Sequence, residues 1–134
     1  MLNRVTIIGN VGNVETRTTA DGNIITRIRV ATTEKFNVNN EPREITEWHT
    51  IIAFGRMAEF VNQSINKGYL VYVEGKLRTR SWDDVNGVRR SVTEIVAEKI
   101  NILRRPLEEI APRPIQQVQE KHDEAVPIDD DIPF

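Results

Sequence analysis

The chain has 134 residues, enough for one domain with an appendage, and it has no cysteine, which excludes disulfides and thiolate chemistry and fits a cytoplasmic protein. No run approaches the roughly 20 apolar residues of a membrane span, and we expect no signal peptide at the start. The net charge of −2 conceals an asymmetry: residues 1–105 hold 16 Lys and Arg against 12 Asp and Glu, whereas residues 106–134 hold 2 against 8, which predicts a basic binding domain with an acidic tail.

The first two predicted strands form a hairpin. Strand one runs from Asn3 to Val11, and Gly9 and Gly12 indicate a bend or bulge near its end. Asp21-Gly22 supplies the positive φ that a tight turn needs, and strand two follows from Asn23 to Thr33. One face of strand two consists of Ile24, Thr26, Ile28 and Val30.

The middle of the chain is predicted to hold a loop, a strand and a helix. Phe36 to Glu44 is polar and indicates a long exposed hairpin loop, which strand three follows from Thr46 to Phe54. Apolar residues then recur every four positions from Arg56 to Lys67, which predicts a helix ended by a C′ glycine at Gly68.

Two more strands complete the predicted domain. Strand four runs from Leu70 to Trp82, Asn86-Gly87 indicates a hairpin turn, and strand five runs from Arg89 to Leu103. The order of elements fits an all-β fold, a five-stranded oligonucleotide-binding (OB) barrel with one short helix between strands three and four.

The pattern of strands stops at Pro106. We therefore predict three segments: an OB domain over residues 1–105, a disordered linker rich in proline and glutamine over 106–128, and an acidic tip over 129–134. Linker and tip together form a disordered acidic C-terminal tail.

Aromatic and basic side chains alternate on the predicted strands. Trp48 and Phe54 share one face of strand three, and Trp82 shares a face of strand four with several cations. Rings beside cations hold unpaired bases and their phosphates, so the pattern predicts binding of single-stranded nucleic acid. The candidate cations are Arg27, Arg29, Arg56, Lys76, Arg78 and Arg80. The alternative is that the tryptophans belong to the core and the cations are ordinary solvated surface.

No residue set supports catalysis, a metal site or a cofactor. The chain has two histidines, His49 in strand three and His122 in the linker, and a catalytic triad or zinc site needs more partners than these. We therefore predict a binding protein rather than an enzyme and interpret His49 as structural.

The sequence resembles the bacterial single-stranded DNA-binding proteins of replication, recombination and repair. The resemblance covers residues 1–105 and the last six residues. It is carried by Val5-Thr6-Ile7-Ile8-Gly9-Asn10-Val11-Gly12, Thr46-Glu47-Trp48-His49, Phe54-Gly55, Tyr72-Val73-Glu74-Gly75-Lys76-Leu77-Arg78-Thr79-Arg80, Trp82 and the Ile-Pro-Phe terminus.

The resemblance implies a homotetramer that binds single-stranded DNA independently of its sequence. It also implies a cytoplasmic, nucleoid-associated protein. Trp48, Phe54 and Trp82 match the family's base-stacking rings, and Phe36 stands where the family often has a tryptophan. The resemblance places His49 near a subunit interface, and we assign the end of strand four with Tyr72 and Glu74 to the oligomer as well.

The acidic tip is predicted to capture partner proteins. Its residues are Asp129, Asp130, Asp131, Ile132, Pro133 and Phe134. Acidic runs are usually solubilising or interaction tails, and the apolar end argues for interaction. By resemblance the partners are DNA-processing enzymes such as helicases, nucleases and polymerase subunits. Two other classes stay open: a barrel that binds protein first, and a barrel that binds single-stranded RNA.

Overall fold

The structure, a computed structural model, describes residues 1–107. The predicted tip and all but the first two residues of the predicted linker lie outside this range. The described chain contains five strands and one helix of ten residues. They are β1 Val5–Thr18, β2 Ile24–Val38, β3 Glu41–Phe54, α1 Gly55–Ser64, β4 Leu70–Asp83 and β5 Arg89–Arg104. The predicted order of three strands, one helix and two strands is confirmed. No helix within residues 1–107 is both long and apolar enough to cross a membrane.

The five strands close into a barrel in the order β1-β2-β3-β5-β4. The first strand pairs antiparallel with both β2 and β4, and β4 pairs antiparallel with β5. Closure is completed by a short parallel pairing of β3 with β5, in which Ile51 lies opposite Ile95 and Ile52 opposite Val96. A five-stranded closed barrel with this single helix confirms the predicted OB fold.

Alternation along the strands fills the barrel with apolar side chains. Ile28 and Val30 of β2, Ile51 of β3 and Val73 of β4 are almost fully buried, as the period of two predicts. The helix closes one end, where the hydroxyl of Thr26 donates a hydrogen bond to a helix carbonyl (Ala58 O, 3.0 Å). The buried hydroxyl therefore has the partner that burial of a polar group requires.

The strand pairing has three irregularities, one of them at the start of β4 between Leu70 and Val71. The pairing of β1 with β2 shifts between Val11 and Asn13, which confirms the predicted bulge. The pairing of β4 with β5 shifts between Glu74 and Gly75. A Cβ at Gly75 would collide with the carbonyl of Val96 on the adjacent strand, so only glycine allows this approach.

The predicted loop from Phe36 to Glu44 is wrong. The second and third strands continue as a paired arm beyond the barrel, and a turn of two residues joins them. Both turn residues have positive φ, 52° at Asn39 and 64° at Asn40, the geometry of a tight hairpin. Asparagine tolerates this conformation, so the polar stretch that indicated a loop is instead a turn between two exposed strands.

The helix also ends earlier than predicted. It stops at Ser64 instead of Lys67, and Ile65 follows in extended conformation. Gly68 does have positive φ, but its N–H donates to the carbonyl of Val11 at 2.8 Å and so joins the following turn to β1. Gly68 was predicted to end the helix, but its contact with Val11, far away in the chain, explains its place.

We expect the substitution Gly75→Ala to lower the free energy of unfolding by about 1–3 kcal/mol, because the new methyl group forces two paired strands apart. Urea unfolding monitored by circular dichroism measures the change. Ser91→Ala, at an exposed position of β5, is the control. Equal stability of the two variants would contradict the close approach at Gly75.

Candidate nucleic-acid interface

An open cleft of about 300 Å³ lies on the outside of the barrel. One wall is the outer face of β1, β2 and β3, and the other is the hairpin of β4 and β5. Its lining residues are Glu15, Thr16, Arg17, Ile25, Arg27, Ile52, Phe54, Arg78, Arg80 and Glu94. On β2 and β3 the lining residues Ile25, Arg27, Ile52 and Phe54 alternate with core positions, so the alternation that fills the barrel also builds this part of the cleft.

Each of the three predicted stacking rings lies beside an arginine. The guanidinium carbon is 5.5 Å from the ring centroid for Arg29 on Trp48. The distance is 5.7 Å for Arg78 on Phe54 and 5.2 Å for Arg80 on Trp82. These distances are within the range of cation–π attraction.

The same rings are exposed in the chain described here. Trp48 is 51% exposed, Phe54 43% and Trp82 42%. An alternative assignment to the barrel core therefore fails for all three. Large rings held open to solvent, each beside a positive charge, form a surface on which bases can stack while phosphates meet the cations.

The ring of Trp48 lies directly against the backbone of Gly12 at the bulge of β1. A Cβ at Gly12 would collide with atoms of the six-membered part of the indole. Gly12, which indicated a bend in the sequence, thus also leaves the space that the Trp48 ring occupies. With Gly12 below and Arg29 beside it, the exposed ring is held in a defined orientation.

Two arginines of the cleft are already paired with carboxylates. Arg27 donates to Glu15 at 2.7 Å, and this hydrogen bond, with the charge of Arg27, lowers the pKa of the Glu15 carboxyl. Arg80 donates to both oxygens of Glu94, at 3.0 and 3.3 Å, and the hydrogen bond to Glu94 raises the pKa of Arg80. The cleft is therefore less positive than its arginines alone suggest.

Six of the ten predicted DNA-binding residues do not line the cleft: Trp48, Trp82, Arg29, Arg56, Lys76 and Phe36. Arg56 is exposed at the start of α1, and Lys76 is exposed on β4. Phe36 lies on the arm of β2 and β3, where it lines a second concavity that also includes Lys35 and Arg43. The ring of Phe36 is exposed as a stacking role requires.

The sequence missed several residues of the cleft. Arg17 and Ile25 are register partners on β1 and β2, and they follow from the predicted faces once strand one is extended past its bulge. Ile52 lies two residues before Phe54 on β3 and so on the same face, which the predicted strand three already implies. The acidic residues Glu15 and Glu94 carry no signal of their own, because strand alternation alone does not reveal which carboxylate meets which arginine.

The predicted oligomer residues lie elsewhere. His49 Nε2 is 2.8 Å from the hydroxyl of Thr32. At the other end of β4 from Trp82, the hydroxyl of Tyr72 donates to Glu74 at 2.6 Å, which raises the pKa of the tyrosine and lowers that of the glutamate. Their place in a subunit interface stays a prediction. Within residues 1–107, no group of three His, Asp or Glu side chains is arranged to hold a metal ion.

A closed OB barrel that exposes rings beside arginines, with Phe54, Arg78 and Arg80 in one cleft, defines a protein of the oligonucleotide-binding class. A model of the single-strand binding protein family matches residues 2–103. The chain belongs to this family, and the resemblance seen in the sequence is confirmed.

Two solved structures are similar to this chain. The single-strand binding protein of Plasmodium falciparum, in complex with single-stranded DNA, has a TM-score of 0.71 and 28% identity, over 78% of this chain and 97% of that one. A deletion mutant of the single-stranded DNA-binding protein from Thermus aquaticus has a TM-score of 0.68 and 30% identity over 79% of this chain. The match covers 52% of the Thermus chain, about half its length.

We expect Gly12→Ala to displace the Trp48 ring, because the added methyl group occupies the space of the indole. The change is made with Trp82→Phe, so that Trp48 is the only tryptophan. Acrylamide should then quench its fluorescence more strongly. Thr18→Ala at the exposed end of β1 is the control. Unchanged quenching would mean that Gly12 does not fix the position of the Trp48 ring.

Proposed function

We propose that this chain binds single-stranded DNA without sequence preference. The observation that carries the proposal is the set of three half-exposed rings, Trp48, Phe54 and Trp82, each within 6 Å of an arginine along one surface. Every base has a π-face, so stacking tolerates any sequence, and the cations neutralise phosphates. Family membership and the DNA complex of the Plasmodium relative support the proposal.

The proposed contacts divide between bases and backbone. Trp48, Phe54, Trp82 and Phe36 provide the stacking surfaces. The proposed phosphate contacts come from Arg27, Arg29, Arg56, Lys76 and Arg78, and Arg80 lies beside them. The rings extend from the arm of β2 and β3 across the barrel to the hairpin of β4 and β5. A flexible strand can follow such a discontinuous path more easily than a rigid duplex can.

The biological setting forms the second part of the proposal. We infer a non-enzymatic, cytoplasmic and nucleoid-associated protein that protects single-stranded DNA during replication, recombination and repair. Residues 1–105 bind DNA, 106–128 act as a linker, and 129–134 recruit DNA-processing enzymes. The proposed homotetramer uses surfaces that include His49, Tyr72 and Glu74, away from the cleft.

The alternatives predict different results in one experiment. Oligo-dT should quench tryptophan fluorescence because bases stack on Trp48 and Trp82. A module that binds only protein gives no quenching. A barrel specialised for RNA is quenched more readily by oligo-U than by a DNA oligomer of equal length in competition. Oligo-U and oligo-dT differ in both the 2′-hydroxyl and the thymine methyl group. Deoxyuridine oligomers lack both groups, so comparing them with oligo-U measures the effect of the 2′-hydroxyl alone.

We expect Trp48→Ala and Trp82→Ala each to weaken binding of oligo-dT by about 1–3 kcal/mol, the value of one stacked base. The thermal midpoint should change little because both rings are exposed. Fluorescence polarisation of a labelled oligomer measures affinity, and circular dichroism measures stability.

A buried residue provides the matched control for these variants. Ile28→Ala should lower stability strongly, because Ile28 lies in the core. If the tryptophan variants instead lost stability as Ile28→Ala does, with unchanged affinity per folded molecule, the rings would be structural.

Deletion of residues 129–134 tests the proposed recruiting tip. The tip ends in three aspartates and an apolar Ile-Pro-Phe terminus, which suits a partner pocket with basic residues around it. DNA affinity should be unchanged or slightly raised, and more so at low salt, where the tail's charges compete with DNA. Capture of DNA-processing enzymes such as a purified helicase should be lost.

The single variant Phe134→Ala separates the tip's contacts from its charge. It should reproduce the loss of helicase capture without changing DNA affinity. Much weaker DNA binding by the shortened chain, or undiminished capture of the enzyme, would contradict the division into a binding barrel and a recruiting tip.

A further inference from the structure

Two arginines of β4, Arg78 and Arg80, look equivalent in the sequence but differ in their surroundings. They lie two residues apart, line the same cleft and contact the rings of Phe54 and Trp82. Glu94 on β5 is the register partner of Arg78, yet both of its hydrogen bonds come from Arg80. None of the ion pairs within residues 1–107 involves Arg78.

The carboxylate of Glu94 is unusual because it is buried. Glu94 is 2% exposed, and the guanidinium of Arg80 contacts both of its oxygens. The 2% exposure of Glu94 is that of the paired state, and Arg80 itself is 51% exposed. If Arg80 turned away to bind a phosphate, the Glu94 carboxylate would lose both of its charge-assisted hydrogen bonds. Losing such a bidentate pair is unfavourable, so Arg80 is held in place.

The other acidic contact of the cleft behaves differently. Arg27 and Glu15 are both about half exposed, so water can solvate Glu15 when Arg27 leaves it. Exposed pairs contribute little and exchange readily. A phosphate can therefore replace Glu15 as the partner of Arg27, whereas the same exchange at Arg80 would take both hydrogen bonds from Glu94.

We propose that Arg80 is a positioning residue for the Trp82 ring and not a phosphate ligand, with its charge neutralised by Glu94. The guanidinium fixed by Glu94 lies 5.2 Å from the ring centroid and limits the orientations of the indole on the exposed hairpin. Arg78 then contributes the phosphate contact of this strand. The inference rests on the proposed binding of single-stranded DNA and divides that site into charge-bearing and ring-holding arginines.

Salt dependence distinguishes the two roles. Each neutralised phosphate of a single strand contributes about −0.7 to the slope of log affinity against log salt. A cation already neutralised by a buried carboxylate displaces no counterions from DNA and adds nothing to the slope. The test measures binding of labelled oligo-dT to the full chain by polarisation over a series of NaCl concentrations.

Three variants complete the design. Arg78→Gln should make the slope shallower by about 0.7 for each cleft engaged. The double variant Arg80→Gln with Glu94→Gln removes both charges without leaving one buried alone, and it should keep the slope of the unchanged protein. Glu94→Gln alone frees the charge of Arg80 and should make the slope steeper by about 0.7.

The double variant should also bind more weakly at every salt concentration, since the Trp82 ring is no longer held. The loss should not exceed that of Trp82→Ala, for which one stacked base corresponds to about 5- to 150-fold. Circular dichroism checks that each variant is folded.

A shallower slope in the double variant, equal to that of Arg78→Gln, would overturn the inference and make Arg80 a phosphate ligand. An unchanged slope in Glu94→Gln would overturn the part assigned to Glu94, the neutralisation of the Arg80 charge. Failure of the unchanged protein to bind oligo-dT would instead reject the proposed function itself. The two failures are therefore distinguishable in the same set of titrations.

Discussion

The short parallel pairing between β3 and β5 is the constraint on which the rest of the structure depends. It joins Ile51 to Ile95 and closes a sheet that would otherwise have two open edges. Closure directs alternate side chains into one core and brings the hairpin of β4 and β5 against the outer face of β3. Arg78 of that hairpin therefore reaches the Phe54 ring, and the cleft exists because the barrel is closed.

A binding surface made of exposed rings has a cost that the fold offsets locally. Apolar rings in water lose the stabilisation of burial, and a loosely held ring also loses conformational entropy when it binds. The contact with Gly12 and the neighbouring Arg29 restrict Trp48 before any ligand arrives. At Phe54 and Trp82 a neighbouring arginine lies over the ring, and each ring is still more than 40% exposed.

The parts of the fold that depend on local pattern were predictable from the sequence. Strand alternation gave the faces of β2 and β3 correctly, and the Asp-Gly and Asn-Gly pairs marked two turns, with positive φ at Gly22 and Gly87. The two errors have different causes. The paired arm that ends at Asn39 and Asn40 looked like a loop because its strands are polar and exposed. Gly68 belongs to a contact with β1 that no local pattern reveals.

The sequence also does not reveal which arginines of the candidate site are paired with carboxylates. Counting basic residues on the predicted strands finds the cleft but does not give the number of charges available to DNA. Glu94 lies opposite Arg78 in register and yet binds Arg80, its diagonal neighbour on the adjacent strand. Whether a carboxylate is buried decides whether its arginine can exchange partners, and burial is a property of the closed barrel. The charge pattern of the sequence therefore locates the surface, while the fold determines which of its cations can bind phosphate.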